Sequence, residues 1–251
     1  MKSNPSKYNN NLVKQDFIAK ATSSTKGGFL PSKTDLTAFS VKDNAHMPER
    51  FSLMICFFHI IKSALAKTIQ GEKQVVKRLA VNMPYPDTDG IKRDEKIARI
   101  ISPAYASLSG ELNAVMQYVY HYFNFKISDD ADNADVMLGI ALAEMNHLEK
   151  LGELLITLGV DPVYTAYPPY KTDFYSTRGV SYSKTAVKML LDDIAGELAA
   201  INEYQKILDK IPKTDNGERV GAIIYRIIID EELHVKILKD ALKKIKPQIS
   251  L

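Results

Sequence analysis

The sequence predicts an all-α protein whose main body is a four-helix bundle of two helical hairpins joined by a long crossover, with an extra N-terminal helix before it. Three observations lead there. Beyond residue 101, four long segments carry apolar residues at helical spacing. The first and third of these segments repeat each other, and so do the second and fourth. Strand signals are scarce throughout.

Residues 1–50 are rich in Lys, Ser, Asn and Thr and hold no sustained apolar period. Such a stretch buries too little surface to offset its ordering entropy, so a disordered tail is expected. Residues 51–100 are read as an accessory helix and linker. The helix is predicted over 51–80, with apolar residues crowded at its start, and VNMPYPDTDG over 81–90 reads as linker from its Pro, Asp and Gly content. The bundle is expected over 101–246. Its first helix opens with Ser102 as N-cap and Pro103 at the first helical position, and runs to about Phe125. The second follows Asp129, Asp130 and Asp132, whose charges suit a helix N-terminus, and stops at Gly159 with Pro162 beyond. The third begins near Ser183 and ends before Pro212; the fourth begins near Thr214 or Asp215 and ends before Pro247, leaving 247–251 as a short tail. Short links within each pair make two antiparallel hairpins. The crossover, roughly 160–182, carries Tyr164, Tyr167, Tyr170, Phe174 and Tyr175, which are expected to pack it along the bundle.

Composition narrows the function. A chain of 251 residues, 45% hydrophobic, can bury a full core. Its net charge of +3, with lysines spread along the chain, argues against a nucleic-acid partner. The single cysteine, Cys56, excludes a disulfide framework and a CxxC metal site. The opening residues MKSNPSKYNNNLVKQ lack the apolar stretch of a signal peptide. The longest apolar run, Phe51 to Ile61, falls well short of the roughly 20 residues that span a bilayer. A cytoplasmic protein without a membrane role is expected.

The internal repeat carries the chemistry. GELNAVMQY over 110–118 matches GELAAINEY over 196–204, and E-x-x-H occurs as Glu144/His147 and again as Glu231/His234. Each half thus holds a lone Glu, Glu111 or Glu197, followed 33 or 34 residues later by Glu-x-x-His. Residues three apart share a helical face about 4.5 Å apart along the axis, so both side chains of one motif can reach one ion. Together the four helices assemble four carboxylates and two imidazoles. Four buried carboxylates without counter-charge would be driven to protonate, and two divalent cations cancel that charge. Mostly oxygen donors with one nitrogen per metal favour iron or manganese.

With these motifs, residues 101–246 resemble the ferritin-like superfamily of di-metal carboxylate proteins, which includes bacterioferritins, rubrerythrins and manganese catalases. The resemblance implies two iron or manganese ions per chain, with Glu144 and Glu231 bridging, Glu111 and Glu197 terminal, and His147 and His234 giving one nitrogen each. It also implies that Tyr118 and Tyr204, each seven residues after a lone Glu, hydrogen-bond the Glu of the opposite half, and that Asp230 orients His147. Ala143 stands at the matching position for His234, which implies two inequivalent metal positions; Asp193 is a candidate substitute partner. His121 lies off the Glu111 face and reads as structural. Ala200 stands where rubrerythrins carry an additional carboxylate, and the four cysteines of a rubredoxin module are missing. The expected activity is an oxidoreductase acting on hydrogen peroxide or dioxygen, either manganese-catalase-like or a ferroxidase or peroxidase, in a homo-oligomer. The alternative is a non-catalytic metal-binding structural, coat or iron-storage protein.

Overall fold

The structure, a computed structural model, describes residues 75–247, and all but Val75 belong to one compact unit beginning at Val76. The tail expected over 1–50, most of the helix expected over 51–80, and residues 248–251 lie outside the described residues. Residues 75–80, predicted as the end of that helix, are not helical. Their backbone groups are committed elsewhere: Leu79 N–H donates to the Gly139 carbonyl at 2.9 Å, and its own carbonyl meets a histidine described below. From there to Asp94 the chain runs as an irregular strap over the third and fifth helices. Gly139 makes this approach feasible, because a Cβ there would sit 2.7 Å from the Leu79 Cγ and 2.9 Å from the Lys77 carbonyl.

Five α-helices follow. The first, α1 (Glu95–Ala106), is capped by Asp94, whose carboxylate accepts from the N–H groups of Lys96 and Ile97. It buries Ile97, Ala98, Ile101 and Tyr105 against the bundle. The sequence reading put a helix start at Ser102 and Pro103. Instead, Pro103 lies inside α1, and the Ser102 hydroxyl is spent on the Ala98 carbonyl at 2.6 Å rather than on a cap. Proline has no N–H to give the Arg99 carbonyl one turn back, and α1 ends within a turn of it. The chain bends through Ser107–Gly110 and restarts as α2 (Glu111–Ile127), so the predicted helix over 102–125 is two helices.

Helix α3 (Ala131–Thr157) begins at Asp130, whose side chain accepts from Asn133 N–H, in line with the acidic cluster read as its start. It closes with Gly159 at φ +89°, while Val160 N–H reaches back to the Leu155 carbonyl and Gly159 N–H to Ile156. Helix α4 (Ala186–Lys210) starts one turn later than the predicted Ser183, because the hydroxyls of Ser181 and Ser183 both donate to Asp192 at 2.7 Å. Helix α5 (Asp215–Ile245) is capped by Thr214 and ends before Pro247. Helices α2 and α3 pair as one hairpin, α4 and α5 as the other, and α3 faces α5 across the bundle. Leu148, Leu151, Ile223, Ile227 and Leu238 are fully buried between them, each burial stabilising by about 1.5–3 kcal/mol.

The crossover over 158–185 packs on the bundle only in part. Tyr164 stacks on Tyr105 with ring centroids 5.8 Å apart, and the Tyr175 hydroxyl donates to Asn113. Tyr167, Tyr170 and Phe174 are exposed, contrary to expectation. The segment folds back on itself through a bridge between Thr165 and Phe174, with Tyr167 and Tyr170 on the outside of the turn and Pro168 buried. Among the described residues there is no β-strand beyond that bridge.

Candidate metal centre

Each hairpin delivers its Glu-x-x-His from the long inner helix and its lone Glu from the partner helix. On α3, Glu144 and His147 sit on the core face among Ile140, Ala141, Ala143 and Leu148; on α5, Glu231 and His234 sit among Ile227, Ile228 and Leu238. Glu111 opens α2, and Glu197 lies midway along α4. All six are at most 4% exposed.

The six side chains converge into two groups that share two members. Glu111, Glu144, His147 and Glu231 form one; Glu144, Glu197, Glu231 and His234 form the other, with one donor atom from each residue within 4.8 Å of all the others. His147 Nδ1 lies 3.3 Å from Glu144, 3.3 Å from Glu231 and 3.6 Å from Glu111. His234 Nδ1 lies 3.0 Å from Glu144, 3.0 Å from Glu231 and 3.5 Å from Glu197. Donors bound to one first-row ion at about 2.0–2.2 Å must stand this close to each other. Glu111 Oε2, Glu144 Oε1 and Glu231 Oε1 are buried, and each faces a histidine Nδ1, at 3.6, 3.0 and 3.3 Å, so carboxylate oxygens and imidazole nitrogens point at one another across the centre. Both groups can therefore hold a metal ion.

The electrostatics of these side chains point the same way. Burial, then repulsion from Glu144 and Glu231, pushes the carboxyls of Glu111 and Glu197 well above the usual range. Burial also opposes charge on Glu144, but His147 and His234 outweigh it and hold that carboxyl well down. Burial disfavours both imidazolium ions, and the surrounding carboxylates overcome it and raise them well above the usual histidine value. The carboxylates and imidazoles thus favour bound protons, which a metal ion would have to displace.

The surrounding residues fix these donors. Tyr118 donates to Glu197, and Tyr204 donates to Glu111, each joining a helix of one half to the lone Glu of the other. The outer nitrogens of the two imidazoles have different partners. His147 Nε2 lies 3.3 Å from Asp230 Oδ2, whereas His234 Nε2 lies 2.8 Å from the Leu79 carbonyl of the strap. Asp193, expected as the substitute partner of His234, is elsewhere. It is tied to His121 Nδ1 at 2.9 Å and to the Gln117 amide at 2.8 Å, because α4 turns it toward α2 one turn before Glu197. His121 is fully buried in that pair, and its Nε2 faces the Ser181 carbonyl.

Sequence reasoning missed the strap and its anchor. Arg226, 2% exposed, lies 2.8 Å from Asp230 Oδ1 and donates to the carbonyls of Val81 and Met83. Val81 N–H and the Tyr85 hydroxyl also donate to Asp230, at 2.7 and 2.8 Å. These bonds, with His147, hold the Asp230 carboxyl far below its ordinary value despite burial. An arginine within the apolar run IIYRIIIDEEL, four residues before an aspartate, is a signal that could have revealed a buried pair.

Against known proteins, a family model described as ferritin-like domain matches residues 106–247. The chain belongs to the ferritin-like domain family. It is 28% identical over 141 residues to a bacterioferritin of Desulfovibrio desulfuricans, a match covering 56% of this chain and 72% of that one. Among solved structures it is similar to a manganese catalase from Anabaena, at TM-score 0.52 and 18% identity, covering 72% of this chain and 84% of that one. It is also similar to a Rhodobacter capsulatus bacterioferritin with a metal-free dinuclear site and haem iron, at TM-score 0.50 and 25% identity, covering 62% and 91% respectively. Among the described residues, no helix is long and apolar enough to cross a membrane.

Proposed function

We propose that this ferritin-like chain is an oxidoreductase that holds two iron or manganese ions and acts on hydrogen peroxide or dioxygen. The observation that carries the reading is the sharing of Glu144 and Glu231 by both donor groups, which makes one dinuclear centre out of two adjacent sites. Glu111 and His147 would complete one position, Glu197 and His234 the other. The bound ions would supply the redox equivalents for converting peroxide or dioxygen.

The chain's own residues prepare the centre. Each tyrosine hydroxyl fixes one oxygen of a lone Glu; the other oxygen of Glu111, Oε2, is the one nearest His147. Asp230 and the Leu79 carbonyl accept from the outer imidazole nitrogens, so an ion that displaced the Nδ1 protons would find those lone pairs free to bind it. A carboxylate makes His147 a more basic donor than a neutral carbonyl makes His234, so the two positions differ in affinity and potential. The apolar faces of α3 and α5 exclude bulk water from behind the imidazoles. Assembly of this chain into a homo-oligomer belongs to the same proposal.

Loading the protein with Mn(II) or Fe(II) and following peroxide loss together with oxygen evolution tests it. Release of one O2 for every two peroxides consumed is the catalase outcome; oxidation of Fe(II) without oxygen release is the ferroxidase outcome. Absence of either reaction from a chain carrying both ions would leave the alternative, a non-catalytic metal-binding or iron-storage protein. The identity to a bacterioferritin keeps storage in view.

A further inference from the structure

Helices α2 and α4, from different hairpins, are joined by a group of polar residues that the proposed chemistry does not use. The Gln117 amide donates to Asp193 Oδ1 at 2.8 Å, and His121 Nδ1 lies 2.9 Å from both Asp193 oxygens. One turn further along α4, Tyr118 donates to Glu197. The end of the crossover is tied into the same group. Ser181 N–H donates to Gln117 Oε1 at 2.8 Å, and the Ser181 carbonyl lies 3.1 Å from His121 Nε2. The side chains of His121 and Asp193 are fully buried. Apolar residues of similar volume often stabilise a core as well as such a pair, or better.

The internal repeat shows that the bundle can be built without this group. With Glu111 matched to Glu197, Gln117 corresponds to Glu203, His121 to Ile207, and Asp193, four residues before Glu197, to Ser107. Ile207 is fully buried, Glu203 lies 3.5 Å from Lys206 on its own helix, and Ser107 sits in the bend before α2 beside Ser109. An aliphatic side chain thus fills in one half the place that histidine takes in the other. The two lone Glu residues also stand on different footings. Glu111 opens α2 straight after a close backbone approach, since a Cβ on Gly110 would lie 2.7 Å from the Ala104 carbonyl. Glu197 lies midway along α4, where a Cβ on the adjacent Gly196 would meet nothing within 4 Å. Its helix needs another anchor. We infer that Gln117, His121 and Asp193 are positioning residues for Glu197: they fix α4 against α2 one turn before that carboxylate and so set its reach toward the ion position it would share with His234. The inference rests on the proposed metal centre and concerns only one of its two positions.

The test isolates each position in the full-length chain. Glu111→Ala leaves the position of Glu197 and His234, and Glu197→Ala leaves that of Glu111 and His147. Into each background go His121→Ile with Asp193→Ser, the residues of the other half, and separately Gln117→Met, which removes two bonds at similar volume. Mn(II) binding is titrated through the electron paramagnetic resonance signal of the free ion, and melting of the metal-free protein checks the fold. In the Glu111→Ala background both changes should weaken Mn(II) binding about tenfold or more, the usual effect of losing the support behind a metal ligand. In the Glu197→Ala background both should stay within about twofold. Asp193→Asn, which keeps an acceptor oxygen for Gln117, should hold affinity within about threefold in the first background. Equal weakening in both backgrounds would show a merely structural role and overturn the inference, as would unchanged binding in the Glu111→Ala background. Absence of Mn(II) binding by the parent chain would overturn the metal centre itself.

Discussion

Glu144→Ala should reduce metal content from two ions per chain to less than half an equivalent. The reason lies in the geometry rather than in charge alone. Glu144 belongs to both donor groups, with one oxygen 3.3 Å from His147 Nδ1 and the other 3.0 Å from His234 Nδ1. Its loss takes a donor from each position and removes one of the two carboxylates that join them. Glu111→Ala makes the contrasting case, because Glu111 belongs to one group only; that variant should keep about one ion, at the His234 position. The stabilisation conferred by metal should follow the same order. With free metal at a thousandfold the dissociation constant, each bound ion adds about 4 kcal/mol to the stability of the folded parent. Glu144→Ala should lose nearly all of it, so its melting temperature with and without metal should coincide. Thermal melts at matched free-metal concentration, paired with elemental analysis, read both effects. Parent-like content in Glu144→Ala would mean that the two positions are not joined through it.

The second large effect concerns the strap. Arg226→Met should destabilise the protein by about 3–5 kcal/mol, the usual consequence of leaving one member of a buried ion pair alone. That corresponds to a fall in melting temperature of roughly 6–20 °C for a domain of this size. Arg226 faces Asp230 at 2.8 Å, caps the carbonyls of Val81 and Met83, and stacks over the Tyr85 ring at 4.5 Å from its centroid. Methionine fills the volume but frees both carbonyls and leaves the Asp230 charge without its cation. Adding Asp230→Asn to Arg226→Met removes that stranded charge, so the double variant should be less destabilised than the sum of the two single losses. Because the strap carries the Leu79 carbonyl to His234, the single variant should also bind its second ion more weakly than its first. A loss below about 1 kcal/mol would show that the strap is held mainly by other contacts.

How much of this was legible in the sequence depends on where the information lies. The six converging side chains come from a pattern that helical geometry alone interprets: i, i+3 motifs on two helices and a lone Glu in each repeat-related partner. The pairing of Tyr118 with Glu197 and of Tyr204 with Glu111 is what the family resemblance implies; spacing by itself puts each tyrosine two turns after its own lone Glu and does not say that it reaches the Glu of the other half. The strap could not be read that way. Its contacts use backbone groups of Leu79, Val81 and Met83 against residues far along the chain, and backbone groups leave no imprint on residue type. The Ser102–Pro103 start was misread because Ser-Pro fits an N-terminus wherever it stands; only the side chain of Asp94, engaged with two N–H groups, shows where α1 begins. Asp193 was assigned by its distance from Glu197 along α4, which fixes its turn but not that His121 on α2 faces it.

The most direct test of a dinuclear centre is the electron paramagnetic resonance spectrum of the Mn(II)-loaded protein, recorded with the metal count on the same sample. Two manganese ions per chain with the many-line spectrum of an exchange-coupled pair is the expected result, since Glu144 and Glu231 would join the ions. A six-line spectrum of isolated manganese at full loading, or no stoichiometric binding, would contradict it.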